Sequence, residues 1–284
     1  MAEIRNLMNF ISSSKKLYIC VNQFKPMKQL IEIVKILFAY LIRPHLWPEL
    51  FRKIYKNIFQ RSSATKGKAV AENWCAEKAV SQQFAIEQLS GNQEFEIIET
   101  RYSDIFKKAK EIEQNTPVKM GGAGALDLIY YLCEYTQAEN ALETGVAYGW
   151  SSLAALLSIS KRNGMLYSSD MPYLGADNDA FVGCVVPENL RKNWKLFRYA
   201  DRESLPKIFK EQNEFDFIHY DSDKTYNGRM WAYPILWKKL KTGGCFMSDD
   251  ISDNSAFMDY CIQNNFEPLI VGFDGKYAGV IFKK

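Results

Sequence analysis

Histidine is the scarcest of the catalytic side chains here. The 284-residue chain has two, His45 and His219, which argues against chemistry built on a histidine base. The six cysteines, at 20, 75, 133, 184, 245 and 261, form no C-x-x-C pair and no zinc spacing. Scattered thiols of this kind read as reduced, mostly buried residues of a cytoplasmic protein. No apolar run reaches the roughly 20 residues that a bilayer-spanning helix needs. The nearest candidate, Leu30 to Ile42 (LIEIVKILFAYLI), is broken by Glu32 and Lys35. It starts late and no small-residue cleavage site follows it, so it does not read as a secretory signal. A G-x-G-x-x-G dinucleotide fingerprint is missing, and so is an N/D-P-P-Y/F base-methylating motif.

What the chain does have is an uneven charge. Its formal net charge is +3, yet Met1–Lys68 carries thirteen Lys/Arg against Glu3, Glu32 and Glu49, so +10, which leaves −7 for the remainder. A basic arm therefore precedes a mildly acidic body, and an acidic body disfavours a nucleic-acid partner. After Leu30–Ile42, Arg43 and Pro44 stop the first helix and Pro48 starts a second. There Leu50, Phe51, Ile54, Tyr55, Ile58 and Phe59 share one face, with Arg52, Lys53 and Lys56 opposite. Such helices cover the protein's own core, meet a second subunit, or lie peripherally on an anionic membrane. Residues 61–68 (RSSATKGK) read as a polar linker.

The expected organisation is an arm over 1–68, a helical lead-in over 69–120 and a core over 121–284. Helices are predicted over about 70–89 and 103–114. Gly121, Gly122 and Gly124 then precede another helix, either as a tight turn or as a loop passing a ligand. From Ala141 strands and helices alternate, with strands predicted at about 140–143, 165–170, 195–200, 215–221 and 244–248. The end, FEPLIVGF-DGK-YAGVIFKK, leaves no room for a helix and predicts an antiparallel hairpin. The fold class is thus α/β, a Rossmann-like, seven-stranded, doubly wound sheet with a helical N-terminal extension.

The most informative stretch is NALETGVAYGWSS, Asn140 to Ser152. A strand ends in Glu143, Gly145 and Gly149 follow, and Trp150, Ser151 and Ser152 open a helix. A dinucleotide loop faces a pyrophosphate and avoids a carboxylate. An acid two residues ahead of the first glycine suits a cation instead. S-adenosylmethionine (SAM), with a sulfonium and an ammonium and no phosphate, fits that demand. Ligands of open α/β sheets bind beyond the carboxyl ends of the strands, and the acids gather there. The second strand ends in Asp170, placed for ribose hydroxyls, and the third leads to Asp201. The fourth, FDFIHYDSDK, offers Asp221, Ser222, Asp223 and Lys224, and the fifth ends in Asp249 and Asp250. Each acid alone reads equally as a helix cap. Together they repel unless a cation binds among them. Asp221, Asp249 and Asp250 would suit a hard divalent ion such as Mg²⁺.

These motifs resemble those of class I SAM-dependent methyltransferases. LETGVAYGWSS is similar to the first motif of the metal-dependent O-methyltransferase branch. FDFIHYDSDKTY with GGCFMSDD resembles that branch's metal-binding pair. The similarity, to cephalosporin hydroxylase-like, macrolide-sugar and catechol-type O-methyltransferases, spans about 121–284. It implies SAM contacts from Glu143, Gly145, Ala147, Gly149, Trp150, Ser151 and Asp170, with Asp201 and Arg202 near the adenine. It also implies metal ligation by Asp221, Asp249 and Asp250, with Lys224 and Asp221 as the catalytic residues, and a metal-free variant of the reaction would use Lys224 or a carboxylate as base. Ala147 departs from the family's middle glycine, and Asp250 stands where catechol-type enzymes carry Asn.

Methyl transfer is an in-line displacement that needs a deprotonated hydroxyl. A divalent ion would lower that hydroxyl's pKa, and Lys224 would take the proton if its own pKa were depressed. Its plain alternative is a surface lysine. His219 falls on the same side of its strand as Asp221, in a supporting or a buried structural role. The expected acceptor is a small sugar, polyketide or phenolic hydroxyl compound. Two alternatives stay open: a metal-independent SAM enzyme, and a membrane-associated protein that keeps the fold without turnover. Tyr148, Trp150, Tyr173, Tyr226, Trp231 and Tyr233 line an acceptor pocket or pack the core. The long segment after Asp170, polar at Asp177, Asn178 and Asp179, predicts a lid.

Overall fold

The computed structural model describes residues 34, 36, 38–59, 63–91, 95–172 and 179–284. The chain divides into two compact units, one ending at Arg52 and one that begins at Lys53.

In the first unit, residues 34, 36 and 38–41 are helical, and Arg43 and Pro44 interrupt the helix, as the sequence predicts. The start of that run, 30–33, lies outside the described residues. A 3₁₀ turn, Pro44–Leu46, leads into α1 (Trp47–Phe59). Tyr40 and Leu46 are buried, and Trp47 Nε1 donates to the Tyr40 carbonyl at 2.9 Å.

The second unit continues with α2 (Lys68–Lys78), β1 (Val80–Ser81) and α3 (Gln82–Leu89). The single helix predicted over 70–89 is therefore two. Ser81 explains the break: its hydroxyl accepts from Phe84 N at 3.1 Å and caps α3. Next come α4 (Ile98–Arg101), α5 (Ser103–Gln114, at its predicted place), α6 (Leu126–Tyr135) and β2 (Asn140–Thr144). The alternating part runs α7 (Trp150–Ile159), β3 (Met165–Ser169), α8 (Glu188–Arg191), β4 (Trp194–Phe197), α9 (Asp201–Glu211) and β5 (Phe215–Tyr220). It closes with α10 (Tyr226–Lys239), β6 (Leu240–Ser248), α11 (Ala256–Gln263), β7 (Leu269–Phe273) and β8 (Lys276–Phe282).

The sheet order is β1-β7-β8-β6-β5-β2-β3-β4, parallel except for β8, which runs antiparallel to β6 and β7. The α/β doubly wound class and the terminal hairpin are as expected. The strand count is eight rather than seven, because the two-residue β1 pairs with β7. Strand alternation divides the core into two layers. Ala141, Phe217, Met247 and Val280 face α6 and α7 with Leu128 and Leu153. Leu142, Ile218, Phe246 and Ile281 face the other side with Leu205, Leu236 and Phe257.

The expected polar linker is not free of the body. Ser63 Oγ accepts from Asn227 N at 3.1 Å, and the Ala64 carbonyl accepts from Asn254 Nδ2 at 3.1 Å. The Lys66 carbonyl accepts from Ser255 N at 2.9 Å. Small and polar residues here serve close packing, since a Cβ on Gly67 would lie 2.6 Å from Ser255 Oγ.

Candidate active site

The carboxyl ends of β2, β3, β5 and β6 open on one edge of the sheet. The glycine loop after β2 shows why its residues are small. Gly145 sits at φ +86°, and a Cβ there would lie 2.3 Å from the Asp221 carbonyl oxygen. Gly149, at φ +95°, caps α7 and packs against Gly183. Between them Ala147 adopts φ +49°, the left-handed region that a side chain disfavours. Ser151 lies in the first turn of α7, half-buried.

The segment holding the three glycines passes close to both halves of this edge. Tyr148 Oη donates to the Val118 carbonyl at 2.6 Å and accepts from Met120 N at 3.2 Å. A Cβ on Gly121 would touch Ala147 at 3.5 Å, and one on Gly124 would come within 3.1 Å of Asp249 Oδ2. Of the two readings left open for these glycines, the loop beside the site matches the geometry.

Glu143 and Asp249 flank His219. The three lie on one face of adjacent strands, Glu143 paired with His219 across β2 and β5. Nδ1 of His219 is 3.7 Å from Glu143 Oε1, and Nε2 is 3.2 Å from Asp249 Oδ2. All three are almost fully buried. Burial lowers the imidazole pKa, but Asp249 and Glu143 more than offset it and push it up to about 10. The ring is therefore an imidazolium between two carboxylates. Glu143 Oε2 also accepts from Ser152 Oγ at 2.5 Å and Ser168 Oγ at 2.9 Å.

Asp170 and Asp201 occupy the next strand ends. Asp170 is 7% exposed; Arg198 Nη1 donates to its Oδ2 at 2.6 Å and reaches Asp179 through Nη2 at 2.7 Å. Burial raises the Asp170 pKa to about 6 despite Arg198. Asp201 accepts from Ser169 Oγ at 2.8 Å and from Ser222 Oγ, tying β3 to β5. The Arg202 guanidinium lies 4.0 Å over the Trp231 ring, its side chain held by an indole.

The acids beyond β5 and β6 have oxygen chemistry suited to a divalent ion, but their carboxylates turn to different partners. Lys224 Nζ is 2.9 Å from Asp221 Oδ1 and also bonds Asp250 Oδ2, while Lys276 Nζ is 3.4 Å from Asp250 Oδ1. Asp249 turns to His219. Among the described residues no three His, Cys, Asp or Glu side chains converge to hold a metal, so this arrangement does not fit one. Burial lowers the Lys224 pKa, but Asp221 and Asp250 more than offset it and hold it above the usual lysine range. The condition for Lys224 to act as a base, a depressed pKa, is therefore not met in this arrangement, because both neighbouring carboxylates favour the charged form. Burial, then the charge of Asp249, raises Asp221 to about 6.

Other expectations are corrected by packing. Trp150, expected beside the cofactor, turns its indole into the core; Nε1 donates to Glu113 Oε2 at 2.8 Å and the ring packs on Phe106. Asp223 accepts from Thr225 N and Oγ1, and Thr225 in turn caps α10, its hydroxyl accepting from Gly228 N at 3.1 Å. Asp249 and Asp250 do not cap α11, whose first amide, Ala256 N, donates to Asn254 Oδ1. Within the expected lid, 173–178, with Tyr173, Asp177 and Asn178, lie outside the described residues. The following part is anchored: Gly183 N donates to the Ala147 carbonyl at 2.9 Å and Val185 N to that of Tyr148 at 3.1 Å.

Sequence reasoning missed Arg198 and Arg229. Arg229 is fully buried and its Nη2 donates to the carbonyls of Asp249 and Asp250 at 3.0 and 2.9 Å. An arginine facing the apolar side of a helix was the available signal. A cavity of about 190 Å³ is lined in part by Ile98, Phe106, Gly124, Asp127 and Phe273, and none of Glu143, Asp170, Asp201, Asp221, Asp249 and Asp250 lines it.

Residues 142–251 match the model of a methyltransferase domain family. Over those residues the chain is similar to that family. Solved structures agree on the fold. A methyltransferase from Geobacter sulfurreducens shares 14% identity over 72% of this chain and 98% of its own, with a TM-score of 0.50. Cofactor-bound Rv0187 from MTB shares 13% over 64% of this chain and 90% of its own, also with a TM-score of 0.50. An O-methyltransferase from Bacillus cereus in complex with SAH shares 16% over 74% of this chain and 100% of its own, with a TM-score of 0.49. No curated protein matches. No helix among the described residues is long and apolar enough to cross a membrane.

Proposed function

We propose that this methyltransferase domain uses SAM to methylate a hydroxyl group of a small acceptor. The observation that carries the reading is the pairing of a glycine loop backed by Glu143 and Asp170 with a second charged corner, Asp221/Lys224/Asp250, across the same strand ends. In this reading Asp170 meets the ribose hydroxyls and the loop at Gly145–Gly149 the methionine part.

The chemistry needs one proton removed and one methyl moved. The acceptor oxygen attacks the methyl carbon as the carbon–sulfur bond breaks, leaving a methyl ether and S-adenosylhomocysteine. A carboxylate with a pKa near 6 is matched to accept the hydroxyl proton at neutral pH, which assigns the base role to Asp221. Lys224, staying charged, orients Asp221 and stabilises the developing alkoxide. No step here runs through a metal ion.

The test is turnover with a panel of small hydroxylated acceptors in EDTA, comparing wild type with Asp221→Asn and Lys224→Met. Activity that survives EDTA and falls at least a hundredfold in Asp221→Asn is the expected outcome. Activity abolished by EDTA and restored by Mg²⁺ would instead establish the divalent-ion reading, with Asp221, Asp249 and Asp250 as ligands after rearrangement. Failure of SAM to bind would sink the enzyme reading itself.

A further inference from the structure

The first unit presents a surface that the catalytic reading does not use. Among the helical residues 34, 36 and 38–41, Val34, Phe38 and Leu41 recur at helical spacing, and Ile42 follows them; all four are exposed, Leu41 by 65%. On α1, Trp47 and Phe51 are one turn apart and also exposed, Phe51 by 65%. Folding usually hides side chains of this size; here two consecutive helical segments leave them open while burying Tyr40 and Leu46 beneath. A cluster of large exposed apolar residues marks an interaction site.

Charge decides between occupants. The arm over 1–68 carries thirteen basic residues against three acidic ones, a net +10, in a chain whose remainder is −7. A second copy of the arm would bring +10 against +10. An anionic bilayer supplies the opposite charge and attracts each Lys or Arg held near its surface. The depth of an interfacial helix also suits Trp, Phe and Leu on one face with cations around them. Among the described residues no helix is long and apolar enough to cross a membrane. We propose that the arm binds the surface of an anionic membrane, inserting Phe38, Leu41, Trp47 and Phe51 at the headgroup boundary and holding the methyltransferase domain there.

Full-length protein is mixed with vesicles of neutral phosphatidylcholine or of phosphatidylcholine with about 30% phosphatidylglycerol, and flotation is measured. The expected result is partition into the anionic vesicles at least tenfold stronger than into neutral ones, weakened at least tenfold by Leu41→Asp plus Phe51→Asp. Should those variants misfold by circular dichroism, replacing Lys15, Lys16, Lys25 and Lys28 with glutamine gives a second test, with the same expected loss. Absence of vesicle binding, or equal binding to both compositions, overturns the proposal. So does a wild-type dimer by light scattering that becomes monomeric in Leu41→Asp/Phe51→Asp while neither form floats, since a second copy would then own the surface.

Discussion

Replacing His219 by glutamine removes the imidazolium between Glu143 and Asp249, and its consequence can be worked out with its sign. The His219 pKa rises from 6.5 to about 10 in the folded protein. Between those values the native state keeps a proton that the unfolded chain releases, so stability falls as pH rises, by about 1.36 kcal/mol per pH unit. The contribution is full below pH 6.5 and lost through pH 10; it amounts to about 5 kcal/mol over the whole window and about 3 kcal/mol between pH 7 and 9. Urea unfolding at pH 6, 7, 8 and 9 of wild type and His219→Gln measures it as a difference, which cancels other titrating groups. The variant is expected to be less stable at pH 6 to 7 by about 3–5 kcal/mol, because two buried carboxylates lose their counter-charge. The gap should close as pH rises. Parallel stability curves for the two proteins across this range would refute the buried imidazolium.

Ala147→Gly should leave SAM binding within about twofold and raise stability by up to about 1 kcal/mol, since glycine accepts the left-handed conformation at no steric cost; thermal melts decide this, and a loss above about 1 kcal/mol counts against the strain. Arg229→Met should cost about 2–4 kcal/mol by freeing the carbonyls of Asp249 and Asp250, and chemical denaturation showing under 1 kcal/mol would mean that the turn holds itself. With the Asp170 pKa raised to about 6, SAM affinity measured by calorimetry should weaken up to tenfold per unit below pH 6, and Asp170→Asn should bind weakly at every pH. Gly124→Val presses a side chain on Asp249; turnover should fall at least tenfold while SAM affinity holds, whereas equal loss of both would place the segment on the cofactor side instead.

Much of the site was legible because strand ends are legible. Apolar runs that stop at Glu143, Asp170, Asp221 and Asp249 locate the carboxyl edge of a parallel sheet, and period-two alternation places His219 on the same side of its strand as Asp221. What stayed hidden were effects of contact across the fold. Trp150 looked like part of the glycine loop and is a core residue, because Glu113 and Phe106 arrive from α5 to receive it. The stretch 61–68 looked like a linker, yet its described part, 63–68, is held by Asn227, Asn254 and Ser255, far away in sequence.

The chain by itself determined the α/β class, the hairpin end, the glycine loop and the split between basic arm and acidic body, since these follow from local periodicity, turn residues and charge counting. Only the tertiary structure decided what the acids do. A carboxylate's role depends on which cation folding brings within a few ångströms, and folding brings His219 to Glu143 and Asp249, Arg198 to Asp170, and Lys224 to Asp221 and Asp250. These pairings set Lys224 between two carboxylates and turn Asp249 toward His219, away from Asp221 and Asp250.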